Sequence, residues 1–158
     1  KTAAEAATPY TVTLAASLVD GVYDIVAVDN AGNVSGIVGG WLTVDNTAPT
    51  ASAPTSTAQT LKSTDVSTST VQSTEDGTIY LVLTGEAAST QGEIDAAIAA
   101  NKGFEGKASA EASTAYTVPV AASITDGVYD IVAVDTVGNI SSIVGGLRTV
   151  DNTAPTAS

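Results

Sequence analysis

The 158-residue chain contains no cysteine, histidine or methionine, and 5 Lys plus Arg stand against 17 Asp plus Glu. Each shortage excludes chemistry. Without Cys or His there is no thiol nucleophile, no imidazole base, no haem or iron–sulfur ligation and no ordinary zinc site. Without Cys there are no disulfides, so a packed core or bound ions must hold the fold. The net charge of −12 repels nucleic acid and anionic membranes, which both require Lys and Arg to displace counterions. Aromatic residues are scarce at 4%, which leaves little for a carbohydrate cleft. No apolar run approaches the roughly 18–20 residues that span a bilayer, and the N-terminus lacks a signal-peptide pattern.

What remains is apolar and acidic. At 44% hydrophobic and 14% charged residues, the chain has the material for a core and is no disordered acidic tail. Its carboxylates are hard oxygen ligands, which makes Ca²⁺ the expected cation ahead of Mg²⁺.

A long internal repeat organises the sequence. Residues 9–52 (PYTVTLAASLVDGVYDIVAVDNAGNVSGIVGGWLTVDNTAPTAS) recur with few changes up to Ser158, and the shift from Tyr10 to Tyr116 is 116 − 10 = 106 residues. Asp20 thereby pairs with Asp126, and Asp45 with Asp151. A period this long is a whole domain, beyond the roughly 20–50 residues of a solenoid unit. The expected organisation is the C-terminal half of one repeat over 1–48, a complete repeat over 49–154 and the start of another over 155–158. Lys1 stands in mid-pattern, so the sequence reads as part of a longer polypeptide. Half a domain cannot bury its own sheet. Residues 1–48 are therefore expected to be completed by upstream sequence or by another chain.

Alternation of apolar and polar residues dominates the complete repeat. Asp65–Ser73, Thr78–Thr84, Ala115–Val120, Val128–Val134 and Ile140–Val150 read as strands. Thr90-Gln91-Gly92-Glu93 fits a helix capping box, followed by an apolar stripe of Ile94, Ala97 and Ile98 and a stop at Lys102-Gly103. The fold class is all-β: an antiparallel sandwich with one short helical insert. Asp126-Gly127-Val128-Tyr129, and Asp20–Tyr23 before it, place a Tyr at the start of a strand with its hydroxyl turned back on the preceding corner. That is the tyrosine corner of immunoglobulin-like sandwiches.

The run DGVYDIVAVDNAGN and the junction VDNTAPTAS resemble the immunoglobulin-like extender repeats of giant calcium-dependent bacterial adhesins, of the RTX and biofilm-associated type. The most specific matches are Asp29–Asn33 and Val44–Pro49. The resemblance covers nearly all of both copies; Thr136-Val137 replace Asn30-Ala31 in the second, and the Gly-rich RTX nonapeptide is absent. It implies an extracellular stalk module on a bacterial cell surface, with neighbouring repeats of the same chain as partners. No catalysis, nucleic acid or membrane insertion is expected.

In such a sandwich the linker at Asp45-Asn46 would lie between the corner carrying Asp20 and the next domain's entering loops, Glu75-Asp76-Gly77 and Asp135–Asn139. Asp20, Asp45, Asn46, Glu75, Asp76 and Asp135 are thus candidate Ca²⁺ ligands at one junction. Asp126 and Asp151 would serve the following junction and Asp29 the preceding one. Ordinary solvated turns are the plain alternative. Asn33 and Asn139 head sequons but sit in repeated turns, where a left-handed Asn is expected. Gly39-Gly40 and Gly145-Gly146 suggest a bulge in the last strand. Glu86, Glu93 and Glu105 have no spacing that supports paired acid–base catalysis. A second functional reading takes the 85–107 insert as a surface that recognises a glycan or host protein.

Overall fold

The computed structural model describes residues 8–9, 11–53, 59–62, 70–118 and 123–157. It is mostly β, with one short helix and several antiparallel sheets. The chain forms two compact units, 1–47 and 48–158. In the first, strands β1 (Gly21–Ile25) and β2 (Val38–Val44) form an antiparallel pair.

The second unit carries the remaining elements. In chain order they are β3 (Ala51–Ser52), β4 (Gln59–Leu61), β5 (Thr70–Ser73), β6 (Gly77–Leu83), helix α1 (Gln91–Ala99), β7 (Gly103–Ala110), β8 (Tyr116–Thr117), β9 (Gly127–Asp135) and β10 (Val144–Val150). Five strands join in the order β4-β10-β9-β6-β7, and three in the order β3-β5-β8. All pairings are antiparallel except β4 with β10. Val71 and Ala51 from the small sheet share one core with Ile79, Leu81, Phe104, Tyr129, Ile131 and Ala133 from the large one. The strand expected over Asp65–Ser73 is seen over Thr70–Ser73, and residues 65–69 lie outside the described part. The end of the expected Ala115–Val120 strand, residues 119–120, also lies outside it.

The helix explains why the central strands are apolar on both faces. Ile94 and Ala97 are buried in a second cluster with Val82, Val132 and Val134, on the side of the sheet away from the first core. Tyr129, Ile131 and Ala133 therefore face one core while Val132 and Val134 face the other. Period-two alternation hides inside a continuous apolar run whenever both faces are covered.

The capping box forms as expected: the Glu93 amide donates to Thr90 Oγ1 at 3.2 Å and the Thr90 amide donates to Glu93 Oε2 at 3.0 Å. The helix stops earlier than the Lys102-Gly103 signal indicated. Asn101 takes the left-handed conformation at φ 57°. Its amide donates to Ile98 O at 3.0 Å and that of Lys102 to Ala97 O at 2.8 Å. This is a Schellman closure with Asn in the glycine position. Gly103 instead opens β7, whose sequence GFEGKASA has almost no β-branched character and gave no strand signal. Within the 85–107 stretch, α1 seals the second core and β7 extends the sheet.

The two glycine pairs do form bulges. Pairing of β9 with β10 slips between Val144 and Arg148, and Gly146 sits at φ 72°. The Gly146 amide released by the bulge donates to Asp130 Oδ1 at 2.8 Å, to which Thr84 Oγ1 also donates at 2.7 Å. In the first unit Gly40 donates to Asp24 Oδ1 at 2.9 Å in the same way.

Candidate metal centre

The tyrosine corner orders the end of the second unit at which the chain leaves β10. Tyr129 donates its hydroxyl to Thr125 O at 2.8 Å, and Tyr23 does the same to Val19 O at 2.9 Å. Asp126 lies beside this corner and gathers the segment that follows β10. Its Oδ1 accepts the Asn152 amide at 2.9 Å and Asn152 Nδ2 at 2.7 Å, while Oδ2 accepts Thr153 Oγ1 at 2.9 Å. Asp151 Oδ1 accepts the Thr153 amide at 2.9 Å. The first unit repeats the set. Asp20 accepts from the Asn46 amide, Asn46 Nδ2 and Thr47 Oγ1, and Asp45 Oδ1 accepts from the Thr47 amide at 3.0 Å.

Asp20 and Asp126 thus hold the segments that follow β2 and β10. The Asn152 and Thr153 bonds keep Asp126 below the usual carboxylate range, and the Thr47 and Asn46 bonds do the same for Asp20. Their role as clamps was not legible in the sequence, because the partners stand 26 residues apart. The repetition of Asp20-Gly21 with Asn46-Thr47 in both copies was the one available signal.

At the other end of the second unit, Asp135 organises the loop after β9. Oδ1 accepts the amides of Val137, Gly138 and Asn139 at 2.7–2.9 Å, and Oδ2 accepts Asn139 Nδ2 at 2.7 Å. The left-handed residue of this turn is Gly138 at φ 98°, not Asn139, whose amide is spent on Asp135. Asp29 holds Asn33 in the same fashion, with Gly32 left-handed at φ 92°. Burial pushes the Asp135 carboxyl up, but the bonds from Asn139, Val137 and Gly138 outweigh it and leave it ionised well below neutrality. Ser141, read from sequence only as part of a sequon, accepts the Ala133 amide at 2.9 Å, as Ser35 does for Ala27.

Glu75 and Asp135 bring carboxylate oxygens within 4.8 Å of each other in the second unit. Asp76 stands next in sequence but turns to a different task, accepting the Ala112 amide at 2.7 Å. Asp76, Glu111 and Asp135 line an open groove of about 560 Å³. The start of the unit runs directly past this place: the Thr50 amide donates to Thr74 Oγ1 at 2.8 Å, and the Thr74 amide donates to Thr50 O at 3.1 Å. A hard divalent cation, with its preference for several anionic and carbonyl oxygens, fits such a pair better than any soft metal. The helix-region carboxylates have other duties. Glu93 caps α1, and Glu86 pairs with Lys102 at 2.9 Å.

No protein-family model, curated protein or solved structure matches this chain.

Proposed function

We propose that the chain is a stretch of tandem immunoglobulin-like modules that serves as a structural extender of a bacterial surface adhesin, with Ca²⁺ at the module junctions. The observation that carries this reading is the doubled linker clamp. Asp20 with Asn46 and Thr47, and Asp126 with Asn152 and Thr153, fasten the outgoing linker to its own module through identical bonds. A stalk needs every linker held in one way, whereas a recognition site needs only one copy. The tyrosine corner and the shared core of two sheets support the immunoglobulin-like assignment.

In this reading Glu75 and Asp135 provide the receiving half of the ion site and Asp45 supplies the linker's carboxylate. Asp45 is five residues from Thr50, which is fixed against Thr74 next to Glu75. Extracellular modules hold Ca²⁺ at about 10⁻⁴–10⁻³ M. At about ten times Kd one site contributes about 1.4 kcal/mol, enough to bias a hinge about tenfold but not to fold a module.

Small-angle scattering and calorimetry test this. The chain should bind Ca²⁺, lose most of that binding on Glu75→Gln, and show a larger maximum dimension in millimolar Ca²⁺ than in EDTA. Equal dimensions with no heat of binding would remove the metal from the proposal.

A further inference from the structure

The two copies of the repeat differ sharply in what covers them. In β9, Ile131, Val132 and Ala133 are 0% exposed and Val134 is 7% exposed. Their counterparts in the first unit are open: Val26 is 49% exposed and Val28 51%, with Ala27 also exposed and Ile25 half-buried. Val22, Val34, Ile37, Val38 and Trp41 add further exposed apolar surface. Water-facing β-branched runs of this kind mark surfaces meant to be covered.

Strand lengths point the same way. β9 has nine residues and β1 only five, although the sequences GVYDIVAVD are identical. From Val132 onward, β9 is held by β6, apart from one bridge between Val134 and Ile140. The first unit has the matching bridge, Val28 with Val34, and no neighbour in the place of β6 among the described residues. The missing partner is therefore why β1 ends at Ile25.

We propose that the exposed face and free edge of β1 are the docking surface for the β6-bearing half of a preceding repeat in the same polypeptide. The pairing within the second unit gives the register. Leu83, Leu81 and Ile79 oppose Tyr129, Ile131 and Ala133, so the corresponding donor positions oppose Tyr23, Ile25 and Ala27. A second copy of this chain is a poor donor, since its own β6 is already paired on both edges, with β9 and β7. Residues 1–52 keep register with 107–158, so a 48–106 segment joined ahead of Lys1 reconstitutes the period without an added linker. The proposal is independent of the metal reading.

The test compares hydrogen exchange in the chain itself and in a chain with residues 48–106 duplicated ahead of Lys1. In the extended protein, amides over Asp24–Val28 should slow by on the order of 100-fold or more, towards the protection of Asp130–Val134. Ile79→Asp placed only in the duplicate should abolish that gain while β9 stays protected, which separates loss of docking from general unfolding. Unchanged exchange over Asp24–Val28 in the extended chain would overturn the proposal. So would protection already present in the original chain that rises with its concentration, because a second copy would then be the occupant.

Discussion

The phenol of Tyr129 donates to the carbonyl of Thr125 at 2.8 Å from a side chain with no exposed surface. The bond turns the chain from the corner into β9 and places Asp126 where the linker leaves. Tyr129→Phe keeps the ring against Phe104, whose centroid is 6.0 Å away, and removes only the hydroxyl. The expected loss is about 1 kcal/mol in denaturant unfolding. Burial first, and the nearby Asp126 second, push the phenol up to about 12. A raised folded pKa means its contribution is complete below the ordinary value of 10.0 and is lost as pH rises through about 12. An ultraviolet phenolate titration should therefore show a late step that Tyr129→Phe lacks.

Arg148 offers a gain in stability. It is 1% exposed in the first core, where Nη1 donates to Val118 O at 2.9 Å while Nε and Nη2 have no partner among the described residues. Burial lowers its pKa, the mark of a charge stripped of solvent. The first copy carries Leu42 at this position. Arg148→Leu should raise the unfolding free energy by about 1–4 kcal/mol. A thermal melt showing a lower midpoint would contradict this reading of the core.

Acid should release the linkers. Asp20 and Asp126 are held below the ordinary value of 3.8 by bonds that exist only in the folded chain. A depressed folded pKa gives stability that is complete above 3.8 and lost as pH falls through the lower, folded value. Amide shifts of Asn152 and Thr153 should stay constant down to that range and then move together. Asp126→Asn should produce the displaced shifts at neutral pH.

Helix α1 depends on its cap. Thr90→Ala removes the acceptor for the Glu93 amide and should cost about 1 kcal/mol. Since α1 covers Val82 and Val132, the loss should appear as faster exchange in β6 and β9 together. Faster exchange confined to α1 would show that the second core is sealed by other groups.

At Gly77 the pairing of β6 with β9 leaves no room for a side chain. A Cβ built there would lie 2.0 Å from Val134 O, a backbone atom that cannot yield without moving the ladder. Gly77→Ala should therefore destabilise the unit, whereas Gly92→Ala, inside α1 with nothing within 4 Å of its Cβ, should leave it unchanged or slightly more stable. Paired melts of the two variants check this.

Several of these features are legible from nearby residues. Thr90 and Glu93 are three apart, Tyr129 and Thr125 four, and Asp135 closes its own loop within four residues. Bonds of such short span are set by local backbone geometry, so spacing reveals them. The clamp of Asp126 on Asn152 spans 26 residues and the Thr84 bond to Asp130 spans 46. Nothing at that range is encoded by periodicity.

By itself the amino-acid sequence determined the repeat, the mostly β character, the single capped helix and the carboxylates in the turns, because each rests on composition or on contacts within a few residues. Tertiary structure decided which carboxylates hold the linker, which pair stands together, and which strand was invisible. It also decided that identical GVYDIVAVD segments meet opposite fates. One lies sealed between two cores and the other is open to water, because burial belongs to the neighbours a strand finds and not to the strand.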